Sequence, residues 1–145
     1  IIHTDSLQSA SIDLASLYPE KLAKYERTGA IINNAYIRLN DELQAADKAI
    51  TTRWTVITDA TISVIDDKHI QLRKNGQSMT MKIITDKDIQ LIVKPLSVED
   101  RNSLPINKYS SISFFQKLQA SEKQAVEVLF IPGSSHHYTI NKSQR

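Results

Sequence analysis

Cysteine is absent from the 145 residues. Disulfide stapling and thiolate chemistry are therefore excluded, while the compartment stays open, because exported proteins also lack cysteine. Glycine is scarce, with three residues, and no glycine-rich phosphate loop, nucleophile elbow or pair of histidines at metal spacing occurs. No run of about 18 apolar residues is present, so nothing reads as a membrane-spanning helix. No leader-like segment is seen. The first residue is Ile rather than Met, and the expectation is a processed product or an excised piece of a longer protein. Helix-period runs are almost absent.

One sign of charge does not dominate. The net charge is +2, and basic residues alternate with acids, as in Glu26–Arg27 and Asp86–Lys87–Asp88. Without a basic stripe, nucleic acid is not an expected partner. Hydrophobic residues make up 41% of the chain and charged ones 23%, ordinary values for a soluble globular protein of one domain.

What the chain has in quantity is period-2 alternation. In residues 35–40, Ala35, Ile37 and Leu39 oppose Tyr36, Arg38 and Asn40. In 49–58, Ile50, Thr52, Trp54, Val56 and Thr58 oppose Thr51, Arg53, Thr55 and Ile57. Alternation puts one set toward a core and the other toward water. These segments, with 22–32 before them, are expected in the middle of an antiparallel sheet. Further strands are expected over 9–18, 60–65, 68–73, 78–85, 89–95, 109–118 and 124–131. In the first, Ala10, Ile12 and Leu14 form the half-buried face. Residues 1–8 read as an arm or an incoming strand, and 17–23 as an alternative turn of helix before and after Pro19. Gly29 suggests a bulge or a close approach. Asn33–Asn34 and Asn75–Gly76 are hairpin turns, because Asn and Gly tolerate positive φ. Residues 96–109 read as a long connection. Nine or ten short strands with turn signals between them predict an all-β antiparallel sandwich over 1–133, followed by a flexible polar tail at 134–145.

Trp54, Phe114 and Phe130 are expected in the core. The acids of Asp66–Asp67 and of Asp86 and Asp88 sit at turns, where Asp caps its own backbone. His69 is expected to be exposed, and His136 and His137, being adjacent, point to opposite faces and are poor joint metal ligands. His3 lies near the start, with no partner in sequence. No catalytic residue and no metal ligand is therefore assigned. Tyr25, Arg27 and Arg38 are the candidate binding residues. An aromatic ring and guanidinium groups on a wet sheet face suit sugar rings and the acidic groups of a polymer. Cross-strand pairing that merely stabilises the sheet is the competing role for them.

Several segments resemble the C-terminal β-sandwich of heparinase II/III-like polysaccharide lyases. Asp13–Leu14 with Tyr18 looks like a DLxxxY segment, and Tyr25 with Arg27 like the Y-x-R strand that follows. Residues 35–43 look like a strand ending in an acidic turn, Trp54 with Thr58 like W-x-x-x-T, and Phe130 with Pro132 like the closing F-x-P. The resemblance covers most of residues 9–132 through short motifs. It implies an exported bacterial protein, periplasmic or secreted, acting on acidic uronate-containing polysaccharides, glycosaminoglycans among them, by β-elimination. In that family a helical α/α toroid precedes the sandwich and supplies the catalytic tyrosine and an asparagine or histidine. The sandwich adds a histidine upstream of DLxxxY, a role that His3 does not match in context. The implied partner is thus an N-terminal toroid missing from this chain, the isolated chain being inactive and exposing an apolar or mixed patch where the toroid docks. Some members hold a structural zinc; Asp13 matches the motif aspartate, but Ile57 stands near a position where some members show histidine, so no cofactor is expected. The alternatives are a stand-alone binding module for a carbohydrate or a protein, and a purely structural sandwich.

Overall fold

The computed structural model describes residues 1–4, 6–96 and 108–133. Among them are eleven strands: β1 Ile2–His3, β2 Leu7–Asp13, β3 Leu22–Ile32, β4 Tyr36–Ala45, β5 Ile50–Thr58, β6 Thr61–Asp66, β7 His69–Lys74, β8 Gln77–Ile84, β9 Ile92–Pro95, β10 Ser110–Leu118 and β11 Lys123–Pro132. They form two antiparallel sheets, one of eight strands in the order β1-β2-β3-β4-β11-β8-β7-β6 and one of three in the order β5-β10-β9. The protein is an all-β sandwich. Among the described residues no helix is long and apolar enough to cross a membrane. The tail 134–145, with His136 and His137, and residues 97–107 of the long connection lie outside the described residues.

Asparagine makes both predicted hairpins. Asn33 and Asn34 adopt φ of 51° and 52°, and Asn75 and Gly76 adopt 53° and 75°. Positive φ at both central positions matches the right-handed twist of the flanking strands, which side chains with longer or branched carbons resist. The first turn fixes β3 against β4 so that Arg27 faces Asp41 and Gly29 faces Leu39.

The three-stranded sheet lies over only part of the larger one. Trp54 of β5 and Ile112 and Phe114 of β10 meet Ile70 and Leu72 of β7, Met81 and Ile83 of β8, and Val126 and Val128 of β11. Trp54 stacks on Phe114 with ring centres 5.5 Å apart. Phe130 packs against the same core. A second, smaller cluster joins Leu22, Leu43, Ala45 and Leu118 at one end.

Four local expectations need correction. β5 does not continue the β3–β4 sheet but forms an edge of the other one, because residues 46–49 carry the chain across the sandwich. Gly29 holds a regular register. The bulge of β3 falls between Leu22 and Lys24 instead. Leu22 and Tyr25 are three apart, so strict alternation would put them on opposite faces, and the extra residue lets both turn inward. β2 stops at Asp13, where a single 3-10 turn over Ala15–Leu17 begins. Its apolar face is uncovered: Ile12 is exposed, and so are Ala10, Ile31 and Ile37 on the same face of β2, β3 and β4. The small sheet simply does not extend that far. Finally, His69 is only partly exposed, its Nδ1 lying 2.6 Å from Asp66 Oδ1. Asp66 also accepts from the Lys68 backbone N–H at 2.8 Å, the expected turn cap.

Candidate binding pocket between the sheets

Where β5 forms the free edge of the small sheet, the sandwich opens into a cavity of about 280 Å³. Its floor is the inner face of β3 and β4, with Tyr25, Arg27, Asp41 and Leu43. Its far wall is β5 from Ile50 to Trp54, with Gln116 and Val126 behind. Tyr18 and Lys21 complete the rim. They are placed by a short turn in which Lys21 and Leu22 N–H donate to the Tyr18 carbonyl at 3.1 and 3.0 Å. Asp13 starts that turn, its Oδ1 accepting from Ala15 N–H at 2.9 Å.

The floor is electrostatically organised. Arg27 Nε and Nη2 donate to the two oxygens of Asp41, each at 2.7 Å. Asp41 is 4% exposed and sits between apolar neighbours of the inner face. A carboxylate there needs a full partner, and the planar guanidinium supplies a two-point one. The bond to Asp41 raises the Arg27 pKa further, against the opposing effect of its partial burial. Nη1 has no hydrogen-bond partner among the described residues and belongs to the pocket-lining side chain. Burial pushes the Tyr25 phenol above its usual range, and the Asp41 carboxylate adds to that. Tyr18 lies beside it, ring centres 6.3 Å apart and tilted by 38°. Lys21 and Arg27 are set against the one carboxylate of the lining, while Arg53 lies on the outer face of β5, where its Nε donates to Thr55 Oγ1 at 2.8 Å.

Such a cavity favours a polar, anionic guest. It is poorly suited to proton abstraction by its own groups, because Asp41 is tied to Arg27 and Tyr25 is held protonated at neutral pH. Among the described residues the β5 backbone pairs only toward β10, so the edge that faces the cavity offers N–H and C=O groups not used in a ladder.

The predicted binding residues are therefore divided. Tyr25 and Arg27 come together in the pocket, half-buried and facing inward rather than on a wet face. Arg38 projects from the opposite face of the large sheet, where its Nε is 3.7 Å from Glu127. Alternation explains this: Arg38 is one residue out of phase with Leu39 and Asp41. Lys21 and Arg53 carry no signal in sequence, Tyr18 enters only as the last residue of the DLxxxY segment, and no local pattern brings the three together. The turn residues alone do not give Asp41: a two-residue turn at Asn33–Asn34 would put Asn40 opposite Arg27, and the observed register, centred on Asn34, puts Asp41 there. His3 is exposed on β1, away from this lining. Asp13 Oδ1 accepts from Ala15 N–H in its turn, and among the described residues no three His, Cys, Asp or Glu side chains gather closely enough to hold a metal.

No family model and no curated protein matches the sequence. Solved structures do match the fold. A heparan sulfate lyase HepC from Pedobacter heparinus superposes with a TM-score of 0.66 at 16% identity, over 90% of this chain and 20% of that one. A heparinase III structure superposes with a TM-score of 0.70 at 15% identity, over 92% of this chain and 21% of that one. The chain thus has the fold of a β-sandwich region in heparinase III structures and spans about a fifth of their length.

Proposed function

We propose that this chain is the β-sandwich portion of a heparinase II/III-like polysaccharide lyase that cleaves acidic, uronate-containing glycans by β-elimination. The observation that carries the reading is the fold likeness over nine-tenths of the chain to a fifth of each lyase structure. The sequence motifs of residues 13–18, 25–27, 54–58 and 130–132 support it. In this reading the reacting groups belong to a helical toroid elsewhere in the same protein. One group removes the proton α to the uronate carboxyl, and another protonates the leaving glycosidic oxygen. Neutralisation of the carboxylate makes that proton removable. The uncovered apolar face of β2, β3 and β4, with Ile12, Ile31 and Ile37, is where the toroid packs. The protein works outside the cytoplasm of a bacterium, where such polymers are met.

The test compares this chain with a form extended upstream by the preceding domain, on heparan sulfate and on alginate. The unsaturated-uronate absorbance rises only with the extended form. If the short chain alone produces it, catalytic groups lie in the sandwich; if neither form does and the short chain binds the glycan, the protein is a stand-alone binding module.

A further inference from the structure

The cavity between the sheets has features that packing alone does not require. A core would close over the Arg27–Asp41 pair with apolar side chains. Here the pair forms the floor of an open space, with Lys21 at its rim and Nη1 of Arg27 without a hydrogen-bond partner among the described residues. Asp41 does not cancel the rim, because Arg27 already compensates it. An incoming anion therefore meets the Lys21 ammonium as a further cation. The tyrosines supply flat faces, which suit the C–H faces of a sugar ring. The edge of β5 that is unpaired among the described residues, with the Thr52 hydroxyl nearby, supplies alternate donors and acceptors for hydroxyl groups. A volume of about 280 Å³ lies at the lower end of small-molecule pockets, which run from about 300 Å³, and matches one ring rather than an oligomer.

From this geometry we infer that the inter-sheet pocket is a subsite for a single carboxylated sugar ring. The carboxylate sits between Arg27 Nη1 and Lys21, the ring lies against Tyr25 and Tyr18, and the hydroxyls meet the β5 edge. The site anchors an acidic glycan. The inference rests on the proposed glycan class but not on lyase activity.

Trp54 is the only tryptophan of the chain and lines the pocket, so its emission reports occupancy directly. The probe is methyl glucuronide, titrated into the chain and, in parallel, into the upstream-extended form. Methyl glucoside and inorganic sulfate are the controls. A ligand of this size with ordinary efficiency binds with a Kd on the order of 1 mM. The expected result is a saturable change in Trp54 emission with the glucuronide, a much weaker one with the glucoside, and none with sulfate in the same range. Lys21→Ala raises Kd about two- to fivefold, as rim charges do. Arg53→Ala, whose guanidinium bonds Thr55 on the outer face of β5, leaves Kd within about twofold. The double variant Arg27→Leu/Asp41→Leu, which avoids leaving a buried charge, raises Kd at least about tenfold. Equal responses to glucuronide and glucoside, a response to sulfate matching that to glucuronide, or no saturable response overturns the inference. Lyase activity in the extended form without glucuronide binding here would overturn the subsite and leave the proposed function standing. Binding here without lyase activity would do the reverse.

Discussion

Replacing Arg27 by Leu strips from Asp41, a carboxylate 4% exposed beneath the pocket, the only hydrogen-bond donors it has among the described residues. Removing one partner of a buried ion pair costs about 3–5 kcal/mol, since the charge left behind is neither solvated nor paired. The Arg27 side chain is 35% exposed, so water reaches part of the vacated site. That lowers the expected loss to about 2–3 kcal/mol. For a domain of this size, each kcal/mol moves the melting temperature by about 2–4 °C, so Arg27→Leu melts about 4–12 °C lower. Asp41→Leu leaves an arginine that can still reach water, and it costs less, about 1 kcal/mol. Replacing both removes the need for pairing, and the double variant returns to within about 1 kcal/mol of the parent. Urea denaturation of all four proteins gives the coupling energy of the cycle, expected at about 2–4 kcal/mol. Strict additivity of the two substitutions, or an Arg27→Leu variant within about 0.5 kcal/mol of the parent, refutes the reasoning.

Other outcomes follow from the same geometry. Phe114→Ala empties a site that is 1% exposed and removes the stack on Trp54, costing about 3–5 kcal/mol in denaturant melts, whereas Phe115→Ala, at 47% exposure one residue on, changes stability by less than about 0.5 kcal/mol; comparable losses would mean the β10 register is wrong. Gly29→Ala adds a methyl 3.5 Å from Leu39 Cδ2, an ordinary contact in an extended strand, and stabilises by about 0.5 kcal/mol, while Gly76→Ala must hold φ +75° and destabilises by about 1 kcal/mol; thermal melts showing the opposite signs contradict the assigned backbone. Burial raises the Tyr25 pKa above its unfolded value, so its contribution to stability is complete below about pH 10 and is lost as pH rises through the folded pKa. In alkaline titration of phenolate absorbance, Tyr25→Phe should delete a component that ionises above pH 10, and deletion of one at or below pH 10 would deny the burial effect.

Much of this fold is legible in the residues because strands declare their faces. Ile50, Thr52, Trp54 and Val56 turn inward as alternation requires, and the two asparagine turns fix their hairpins through positive φ. Placement between sheets is less legible. β5 follows β4 by a short loop, yet pairs with β10 more than fifty residues later, and nothing in its own alternation distinguishes a neighbour in the same sheet from one across the core. The exposure of Ile12 escapes for a related reason: its apolar face is real, but the covering sheet is only three strands wide. The inward turn of Tyr25 and Arg27 depends on the register with β4. That register is symmetric about Asn34 and so puts Asp41 opposite Arg27. Lys21 reaches the same cavity from a separate segment, a meeting that only the folded chain reveals.

The central claim, a sandwich serving a β-eliminating lyase, is tested most directly by the products that the upstream-extended protein releases from heparan sulfate in heavy-oxygen water. Elimination breaks the glycosidic bond without adding water and leaves a double bond in the terminal uronate. The account predicts unsaturated products that carry no heavy oxygen at the cleavage point. Saturated products that carry the label would show hydrolysis and contradict it, and a protein that binds the polymer but releases no product would contradict it as well.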